Sequence, residues 1–319
     1  MQGINLFNLS GKVALVTGAS KGMGRAMAEA LVSSGAKVII SSRKQDQLEL
    51  VAAEINKEYG KDHVKAISCN MSQEDQIEDL VKRAEKTFGP VNVLVGNAGV
   101  NPYYGPISGV SKTAYSKTMD TNVYSNLLLA KKLNPGMRDV GGGSMIFTSS
   151  VGAFKPSLNL GVYGMSKLSL IGLTRNLAAE YGPYGIRVNA ICPGLIKTDF
   201  AKAIWDNPEA EKRAKTEIPL RRLGEVDDFK GIAVFLGVLF ALSIKYGIIF
   251  IVCWTIILYL TKYSSISSLV STGIIFFYSI YLNNSTESIF FFIIFIIVIY
   301  THRENIVRLK NKTENKINL

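Results

Sequence analysis

Residues 13–24 decide the fold, and they read Val-Ala-Leu-Val-Thr-Gly-Ala-Ser-Lys-Gly-Met-Gly. The first four residues are an apolar run typical of a buried strand, and the glycines after them mark a turn. Residues 25–34 then have a helical period, and residues 37–40 form a second apolar run rich in β-branched side chains. A strand, a glycine turn, a helix and a second strand together predict a βαβ unit.

The glycine spacing in this turn is typical of a phosphate-binding loop. Gly18, Gly22 and Gly24 lie where the strand ends and the helix begins. Glycine lets the backbone turn sharply and approach a pyrophosphate, whose charge the positive end of the helix stabilises. Many glycine patterns are plain turns, but this one has the strand before it and the helix after it that dinucleotide binding requires.

The alternation of strands and helices continues along the chain. Periodicity predicts helices at residues 48–59, 75–88, 114–133 and 162–181, and strands at residues 64–67, 91–95, 144–148 and 186–191. Alternating strands and helices favour an α/β fold, in which a doubly wound parallel sheet is covered on both faces.

Further motifs follow the glycine turn, each at the end of a predicted strand or inside a predicted helix: Asn97-Ala98-Gly99, Asn122, Ser149-Ser150, Tyr163, Lys167 and Pro193-Gly194. Lys167 comes four residues after Tyr163. In these motifs and their order, residues 6–237 resemble the short-chain dehydrogenase/reductase family. The resemblance implies a Rossmann-like fold and an NADP-dependent oxidoreductase that interconverts carbonyls and alcohols by hydride transfer.

The resemblance implies a catalytic set of Asn122, Ser150, Tyr163 and Lys167. Tyr163 and Lys167 are one helical turn apart and share a face, which by itself is also typical of an ordinary surface pair. A nearby ammonium and a bound oxidised nicotinamide favour the phenolate, so Tyr163 can exchange a proton near neutral pH. Ser150 can hydrogen-bond the substrate oxygen. By resemblance, Asn122 holds a water that links Lys167 to solvent.

The glycine turn and the motifs at the strand ends also predict the residues that hold the cofactor. These are Thr17, Gly18, Ser20, Lys21, Gly22, Met23, Gly24, Ser42, Arg43, Lys44, Asn70, Asn97, Ala98, Gly99, Tyr163, Lys167, Pro193, Gly194, Ile196 and Thr198.

The charge after the second strand favours NADP(H) over NAD(H). NAD sites place a carboxylate there, on the ribose hydroxyls. This chain has Ser42, Arg43 and Lys44 instead. Arg43 can form a forked pair with a 2′-phosphate, and Lys21 can add a second charge, although a solvated loop would carry the same cations. Asn70 stands where the family commonly has Asp, and its amide can still reach the adenine.

The predicted substrate is a small apolar carbonyl or alcohol, such as a ketone, a dicarbonyl or a retinal-like molecule. Six apolar side chains near the motifs can wall its pocket, and each is equally typical of core packing or loop cover: Tyr103, Tyr104, Phe154, Leu195, Phe200 and Trp205. Residues 201–217 are rich in charge and helix formers, which is typical of a mobile flap.

Composition excludes several other classes of protein. The chain has 319 residues, of which 48% are hydrophobic and 19% charged, so it is not intrinsically disordered. Its three cysteines and two histidines show no metal-ligand spacing. The net charge of +11 is spread along the chain rather than clustered with aromatic residues, which argues against a nucleic-acid partner.

From residue 232 the sequence changes character. Residues 232–260 contain a single charge, Lys245, and residues 288–300 are almost all Ile and Phe. Apolar stretches of this length predict a membrane span within residues 232–300, with buried core as the alternative. We therefore expect an NADP-binding domain at 1–236 and a hydrophobic helical tail with a basic end at 237–319. If the tail spans a bilayer, the basic end should stay cytosolic, with an even number of spans.

The resemblance ends near residue 237, where family members continue into a last strand and a glycine-rich end. Without that strand the sheet keeps an open edge, which argues against the family's homotetramer. Three accounts of the tail remain: a membrane anchor, a product of aberrant splicing or intron read-through, or a substitute for the strand. The alternative function is a non-catalytic, membrane-associated or aberrantly spliced product that keeps the motifs.

The ends of the chain predict where the protein is found. The first ten residues lack a secretory signal, and the last three, Ile-Asn-Leu, lack the family's peroxisomal address. We expect a cytoplasmic protein, or a membrane-associated one whose catalytic domain faces the cytosol.

Overall fold

The computed structural model describes residues 8–60, 62–156, 159–218, 221–226, 228, 244–282, 285–301 and 303–311. The chain divides into two compact units. The larger unit comprises Asn5–Asp206 and Gly224–Lys230, and the smaller comprises Met1–Ile4, Asn207–Leu223 and Gly231–Leu319. The predicted domain boundary at residue 236 and the start of the apolar run at residue 232 lie outside the described residues.

One parallel sheet forms the centre of the larger unit. Its strands are β1 (Val13–Thr17), β2 (Lys37–Ser41), β3 (Val64–Ala66), β4 (Val93–Gly96), β5 (Gly143–Thr148) and β6 (Ile186–Ile191). Their order is β3-β2-β1-β4-β5-β6, and every neighbouring pair is parallel. The predicted Rossmann-like, doubly wound sheet is therefore confirmed.

The sheet has six strands in the part of the chain that the structure describes. Residues 229–243, which include the point where the family resemblance ends, lie outside that part. The absence of the family's last strand therefore stays a prediction.

The larger unit has seven helices among the described residues. They are α1 (Gly22–Ser33), α2 (Gln45–Tyr59), α3 (Glu74–Phe88), α4 (Lys112–Met119), α5 (Ser125–Asp139), α6 (Gly161–Tyr181) and the short α7 (Lys202–Trp205). Five of them, α1, α2, α3, α5 and α6, contribute to the two cores on the sheet. Alternate strand residues enter two different cores, because successive side chains point to opposite faces. Leu15 and Leu94 enter one core, and Val16 and Val95 enter the other. Both faces are covered, as a parallel sheet requires.

The helix predicted over residues 114–133 is interrupted. α4 and α5 are joined by a π-helical turn, Asp120–Tyr124, which contains the buried Asn122. A π turn inserts one extra residue into the helical ladder and is frequent at functional sites. The buried side chains at this turn and beside it are polar, so the apolar pattern of the sequence gives no sign of the insertion: Thr118, Thr121, Asn122, Ser125 and Asn126.

The topology brings the predicted motifs to one edge of the sheet. Because all six strands are parallel, their carboxyl ends meet there. β1 and β4 are neighbours although two strands separate them in sequence, so the connections leave in opposite directions on either side of this pair. In open α/β sheets, ligands bind in the crevice at such a switch point.

The smaller unit is helical where the structure describes it. Its helices are α8 (Pro208–Glu217), α9 (Ile244–Thr261), α10 (Ser264–Tyr281), α11 (Ser285–Thr301) and α12 (Arg303–Lys310). The segment predicted as a flap, residues 201–217, is thus divided between α7 in one unit and α8 in the other.

The structure does not support the predicted membrane span in residues 232–300. Among the described residues, none of the helices combines the length and the apolar character that crossing a membrane requires. In residues 244–301 the described helices are α9, α10 and α11, with 18, 18 and 17 residues, whereas a span needs about 20 successive apolar residues. Residues 232–243 of the predicted run lie outside the described residues.

Candidate active site

The glycine turn presents backbone rather than side chains to the crevice. Gly18 and Gly22 have φ values of +65° and +58°, in the left-handed region that favours glycine. A Cβ at Gly24 would overlap the carbonyl oxygen of Gly18. Lys21, the N-cap residue of α1, gives that helix no side-chain capping hydrogen bond. The first N–H groups of α1 therefore remain suited to a pyrophosphate, and a nucleotide fits this turn.

Thr17 and Asn97 tie the glycine turn to the end of β4. The Thr17 hydroxyl accepts hydrogen bonds from the N–H groups of Asn97 and Ala98, each at 3.0 Å. The Asn97 amide donates to the carbonyl oxygens of Thr17 at 3.0 Å and Gly18 at 3.2 Å. These contacts hold the two neighbouring strand ends together. Ser20 and Met23 are half-buried in the same turn.

Lys167, Asn122 and Gly99 meet beside the crevice. Lys167 is buried, and its Nζ donates to the carbonyl oxygen of Thr148, at the end of β5, at 2.7 Å. A Cβ built on Gly99 would lie 3.3 Å from the Lys167 Nζ and 3.5 Å from the Asn122 Oδ1. Only a glycine leaves this space free, so Gly99 lets the backbone after β4 approach both side chains.

Ser150 and Tyr163 form the polar centre of the site. Ser150 lies near enough to the Tyr163 hydroxyl to lower its pKa, and the Ser150 Oγ accepts a hydrogen bond from the N–H of Gly152 at 3.1 Å. The Lys167 Nζ lies 5.5 Å from the centroid of the Tyr163 ring. The structure thus brings together all four residues that were predicted to be catalytic, on the loop after β5, on α6 and on the π turn.

Burial is the largest cause of the pKa shifts of Lys167 and Tyr163. It lowers the pKa of Lys167 to about 8, with the nearby Cys192 acting in the opposite direction. Burial also raises the pKa of Tyr163, and the hydrogen bond from Ser150 offsets this in part. The sequence predicts a lowered pKa for Tyr163, which would favour the phenolate. In the chain alone the pKa is raised instead, because desolvation disfavours the phenolate and the Lys167 ammonium is bonded to Thr148.

The loop after β2 exposes two cations. Ser41, the last residue of the strand, is fully buried, whereas Arg43 and Lys44 are exposed and Ser42 is half-buried. Lys44 is the N-cap residue of α2, so its backbone is held by the helix while its side chain extends into solvent. This arrangement leaves the guanidinium of Arg43 accessible at the carboxyl edge of the sheet.

Asn70 has a local structural partner. Its side-chain oxygen accepts from the N–H of Ser72 at 3.2 Å and from the Ser72 hydroxyl at 2.8 Å. Its own N–H donates to the side chain of Gln76 at 2.9 Å. These bonds shape the turn that enters α3 and occupy the oxygen of the amide.

Lys21 is engaged differently from what the sequence predicts. Its Nζ forms an ion pair at 2.6 Å with Asp199, and both side chains are more than 60% exposed. This contact lowers the pKa of Asp199. The cation predicted to add charge for a 2′-phosphate is thus paired with a carboxylate from the loop after β6.

The loop after β6 approaches the glycine turn. Pro193 accepts a hydrogen bond from the N–H of Val151 at 3.0 Å, and Gly194 next to it is exposed. Ile196 forms an isolated bridge with Gly224. A Cβ at Gly22 would lie 3.3 Å from the Thr198 side chain. The structure therefore places this loop against the turn that the cofactor is predicted to use.

The aromatic side chains proposed for the substrate pocket separate into two groups. The ring of Phe200, which is 58% exposed, lies 5.8 Å from that of Tyr163, centroid to centroid. The Trp205 indole donates to the carbonyl oxygen of Thr198 at 2.8 Å. Of the others, Tyr104 and Phe154 are exposed, Tyr103 donates a hydrogen bond to Pro106 within its own loop, and Leu195 is half-buried.

Two serines hold α6 in place: Ser149, which the sequence analysis named in a motif without a role, and Ser166, which it did not single out. The Ser149 hydroxyl donates to the carbonyl oxygen of Lys167 at 2.7 Å. Ser166 is fully buried and accepts a hydrogen bond from the Asn122 amide at 2.9 Å. Their position next to Ser150 and Lys167 was the available signal. A search of the described residues finds no cluster of His, Cys, Asp or Glu that could hold a metal ion.

Comparisons with known proteins divide the chain into two parts. Residues 18–241 match the family model described as enoyl-(acyl carrier protein) reductase. Residues 226–312 match a second model, described as glycerol-3-phosphate acyltransferase. The tail therefore resembles a known protein family, which weighs against an origin in intron read-through. Because residues 18–241 match an oxidoreductase family, the non-catalytic alternative is not favoured.

Two curated relatives align with 228 residues, which are 72% of this chain. Dehydrogenase/reductase SDR family member 4 of Homo sapiens is 42% identical over 81% of its own length. Dehydrogenase/reductase SDR family member 2, mitochondrial, of the same organism is also 42% identical, over 80% of its length. The tail lies outside both alignments.

Solved structures share the fold of the larger unit. One, named for an NAD(P)-dependent gluconate 5-dehydrogenase of Beutenbergia cavernae with NADP bound at low occupancy, is 30% identical with a TM-score of 0.68 over 72% of this chain and 91% of its own. A 7α-hydroxysteroid dehydrogenase, complexed with NADH and a 7-oxo bile acid, is 32% identical with a TM-score of 0.69 over 74% and 91%. The chain belongs to the short-chain dehydrogenase/reductase family and is an oxidoreductase.

Proposed function

We propose that this oxidoreductase uses NADP(H) to reduce apolar carbonyl compounds to alcohols, with Tyr163 as the proton donor. The observation that carries the proposal is the proximity of the Ser150 side chain to the Tyr163 hydroxyl at the carboxyl edge of the sheet, with the Lys167 Nζ 5.5 Å from the centroid of the Tyr163 ring. The buried Lys167 lies beneath the Tyr163 ring. When bound, the nicotinamide supplies the hydride, which adds to the carbonyl carbon.

The four site residues orient the substrate, transfer a proton to it and stabilise the charge that remains. Ser150 donates a hydrogen bond to the carbonyl oxygen of the substrate and holds it beside Tyr163. The Tyr163 hydroxyl transfers its proton to that oxygen as the alcohol forms. The Lys167 ammonium stabilises the phenolate that remains, because a positive charge within about 6 Å favours the ionised form. Asn122 holds the π turn against this centre.

The preference for NADP(H) rests on charge at the end of β2. Arg43 and Lys44 are exposed there, and the sequence has no carboxylate that would repel a 2′-phosphate. Because Lys21 is paired with Asp199, recognition of the 2′-phosphate falls mainly on Arg43 and Lys44. A guanidinium can bind phosphate through two parallel hydrogen bonds. The solved relative with NADP bound shows that this fold can hold that cofactor.

Replacing Arg43 tests the cofactor preference. Arg43→Ala should raise the KM for NADPH about tenfold and leave the KM for NADH unchanged, because only NADPH carries the 2′-phosphate. Arg83→Ala is the matched control, since Arg83 is a surface arginine that pairs with Asp79 on α3. Steady-state kinetics with both cofactors measure the effect. Equal changes for NADPH and NADH, or a preference of the unmodified chain for NADH, would refute the assignment.

The apolar substrate class is supported by the Phe200 ring. It contacts Tyr163 while leaving much of its surface exposed, so an apolar molecule bound beside the hydroxyl would cover it. Burying that surface would favour ketones and dicarbonyls over polar sugars.

A further inference from the structure

The buried Ser166 joins the π turn to the catalytic helix. The Asn122 side-chain oxygen accepts from the N–H of Val100 at 2.8 Å, and its amide donates to the Val100 carbonyl oxygen at 3.0 Å. The amide also donates to the Ser166 Oγ at 2.9 Å. The Ser166 hydroxyl in turn donates to the carbonyl oxygen of Tyr163 at 2.7 Å. Hydrogen bonds thus run from the loop after β4 to the backbone of Tyr163.

The two side chains in the middle of this chain of bonds have no access to water. Asn122 and Ser166 are both fully buried. An amide has two hydrogens to donate, and here Val100 takes one and Ser166 takes the other. A serine hydroxyl has one hydrogen, which goes to Tyr163, and its lone pairs accept from Asn122. Every polar hydrogen of the two side chains is therefore used, and a buried donor that loses its acceptor is unfavourable.

The position of Ser166 makes this bond relevant to the chemistry. It lies one residue before Lys167 and three after Tyr163 on α6. Asn122 and Lys167 both border the space at Gly99. Without the Ser166 hydroxyl, the Asn122 amide would lose an acceptor and could rotate to another one. The rotation would move the Asn122 Oδ1, which accepts from the N–H of Val100, and so the backbone beside Lys167.

We propose that Ser166 is a positioning residue, which acts through Asn122 to hold the π turn and the loop after β4 in register with Tyr163 and Lys167. Its effect on turnover rests on the proposed function, whereas its effect on the Val100 hydrogen bond does not. Neither effect requires Ser166 to touch the substrate or the cofactor.

Ser166→Ala in the full chain tests this role, with Thr174→Ala as the matched control. Thr174 is also buried on α6, and its hydroxyl donates to the Leu170 carbonyl oxygen at 2.7 Å. Hydrogen–deuterium exchange of the peptide that contains Val100 should be about tenfold faster in Ser166→Ala and unchanged in Thr174→Ala. If Ser166→Ala does not fold, Ser166→Cys keeps a side-chain group that can form weak hydrogen bonds at this position and should give a smaller acceleration.

The kinetic readout separates positioning from general stability. Ser166→Ala should lower kcat about tenfold while the KM for NADPH stays within about twofold, and Thr174→Ala should change neither. In an Asn122→Ala background, Ser166→Ala should add little, because the partner is already gone. Unchanged exchange at Val100, an unchanged kcat in an active enzyme, or equal effects of both variants would overturn the proposal. A wild-type chain without turnover would instead refute the proposed function, and the exchange result would still decide the role of Ser166.

Discussion

Lys167 holds a charge in a place from which water is excluded. Its ammonium has one hydrogen bond, to Thr148, and burial lowers its pKa to about 8. An ordinary lysine titrates above pH 10, so the unfolded chain binds this proton more tightly than the folded chain does. The buried charge therefore destabilises the native state at neutral pH. In the proposed mechanism the same charge stabilises the Tyr163 phenolate.

This strain predicts a pH-dependent stability. Between about pH 8 and pH 10.5 Lys167 binds more protons in the unfolded chain than in the folded chain. The contribution of Lys167 to the free energy of unfolding therefore rises with pH. Lys167→Met removes the buried charge. At pH 7.5 its free energy of unfolding should exceed that of the wild type, and this difference should decrease by about 3 kcal/mol from pH 7.5 to pH 10.5. Unfolding followed by circular dichroism at several pH values measures the difference.

The exposed Lys57 on α2 provides the control for that experiment. Lys57→Met should differ from the wild type by the same small amount at every pH. A difference between Lys167→Met and the wild type that does not change with pH would show that the buried charge is not destabilising.

Two glycines of the helices around the crevice differ in the space that surrounds them. α1 can start where it does because Gly24 packs directly on the Gly18 carbonyl and lies near the Asn97 amide. Gly172, in the middle of α6, has no atom within 4 Å of a built Cβ. The same substitution should therefore have opposite effects at the two positions.

Gly24→Ala should lower the free energy of unfolding by about 1–3 kcal/mol, since the added methyl overlaps backbone atoms. It should also weaken NADPH binding at least tenfold, because the start of α1 must move. Gly172→Ala should raise stability by about 0.5–1 kcal/mol and leave NADPH binding unchanged. Thermal unfolding and NADPH fluorescence titration test both. Similar losses for the two variants would mean that the close contact at Gly24 has no special role.

Sequence pattern predicts elements well and hydrogen-bonded positions poorly. The strands agree with the structure within two residues at each end, because the buried strands of a parallel sheet are short apolar runs between helices, whereas α1 begins three residues before the predicted helix. The π turn at Asp120–Tyr124 has no apolar signature, since the buried side chains at this turn are polar. Lys21–Asp199 and Asn122–Ser166 join residues 178 and 44 positions apart, which only the folded chain shows.

At the scale of the whole molecule, the proposed catalytic groups and the tail belong to different units. Asn122, Ser150, Tyr163 and Lys167 all lie in the unit that contains Asn5–Asp206. The two curated relatives align with 72% of the chain and leave the C-terminal region uncovered, and the tail matches a model of a different family. A unit with its own core folds largely by itself. We therefore expect the oxidoreductase chemistry to come from the larger unit alone.

Reduction of an apolar dicarbonyl by NADPH, measured on the purified full-length chain, tests the central claim most directly. The wild type should oxidise NADPH, and Tyr163→Phe should lose about 10²–10⁴-fold in kcat because it lacks the transferable proton. Tyr181→Phe, a change at another buried tyrosine of α6, should keep its activity. Turnover that survives in Tyr163→Phe, or a wild-type chain that neither oxidises nor binds NADPH, would contradict the assignment.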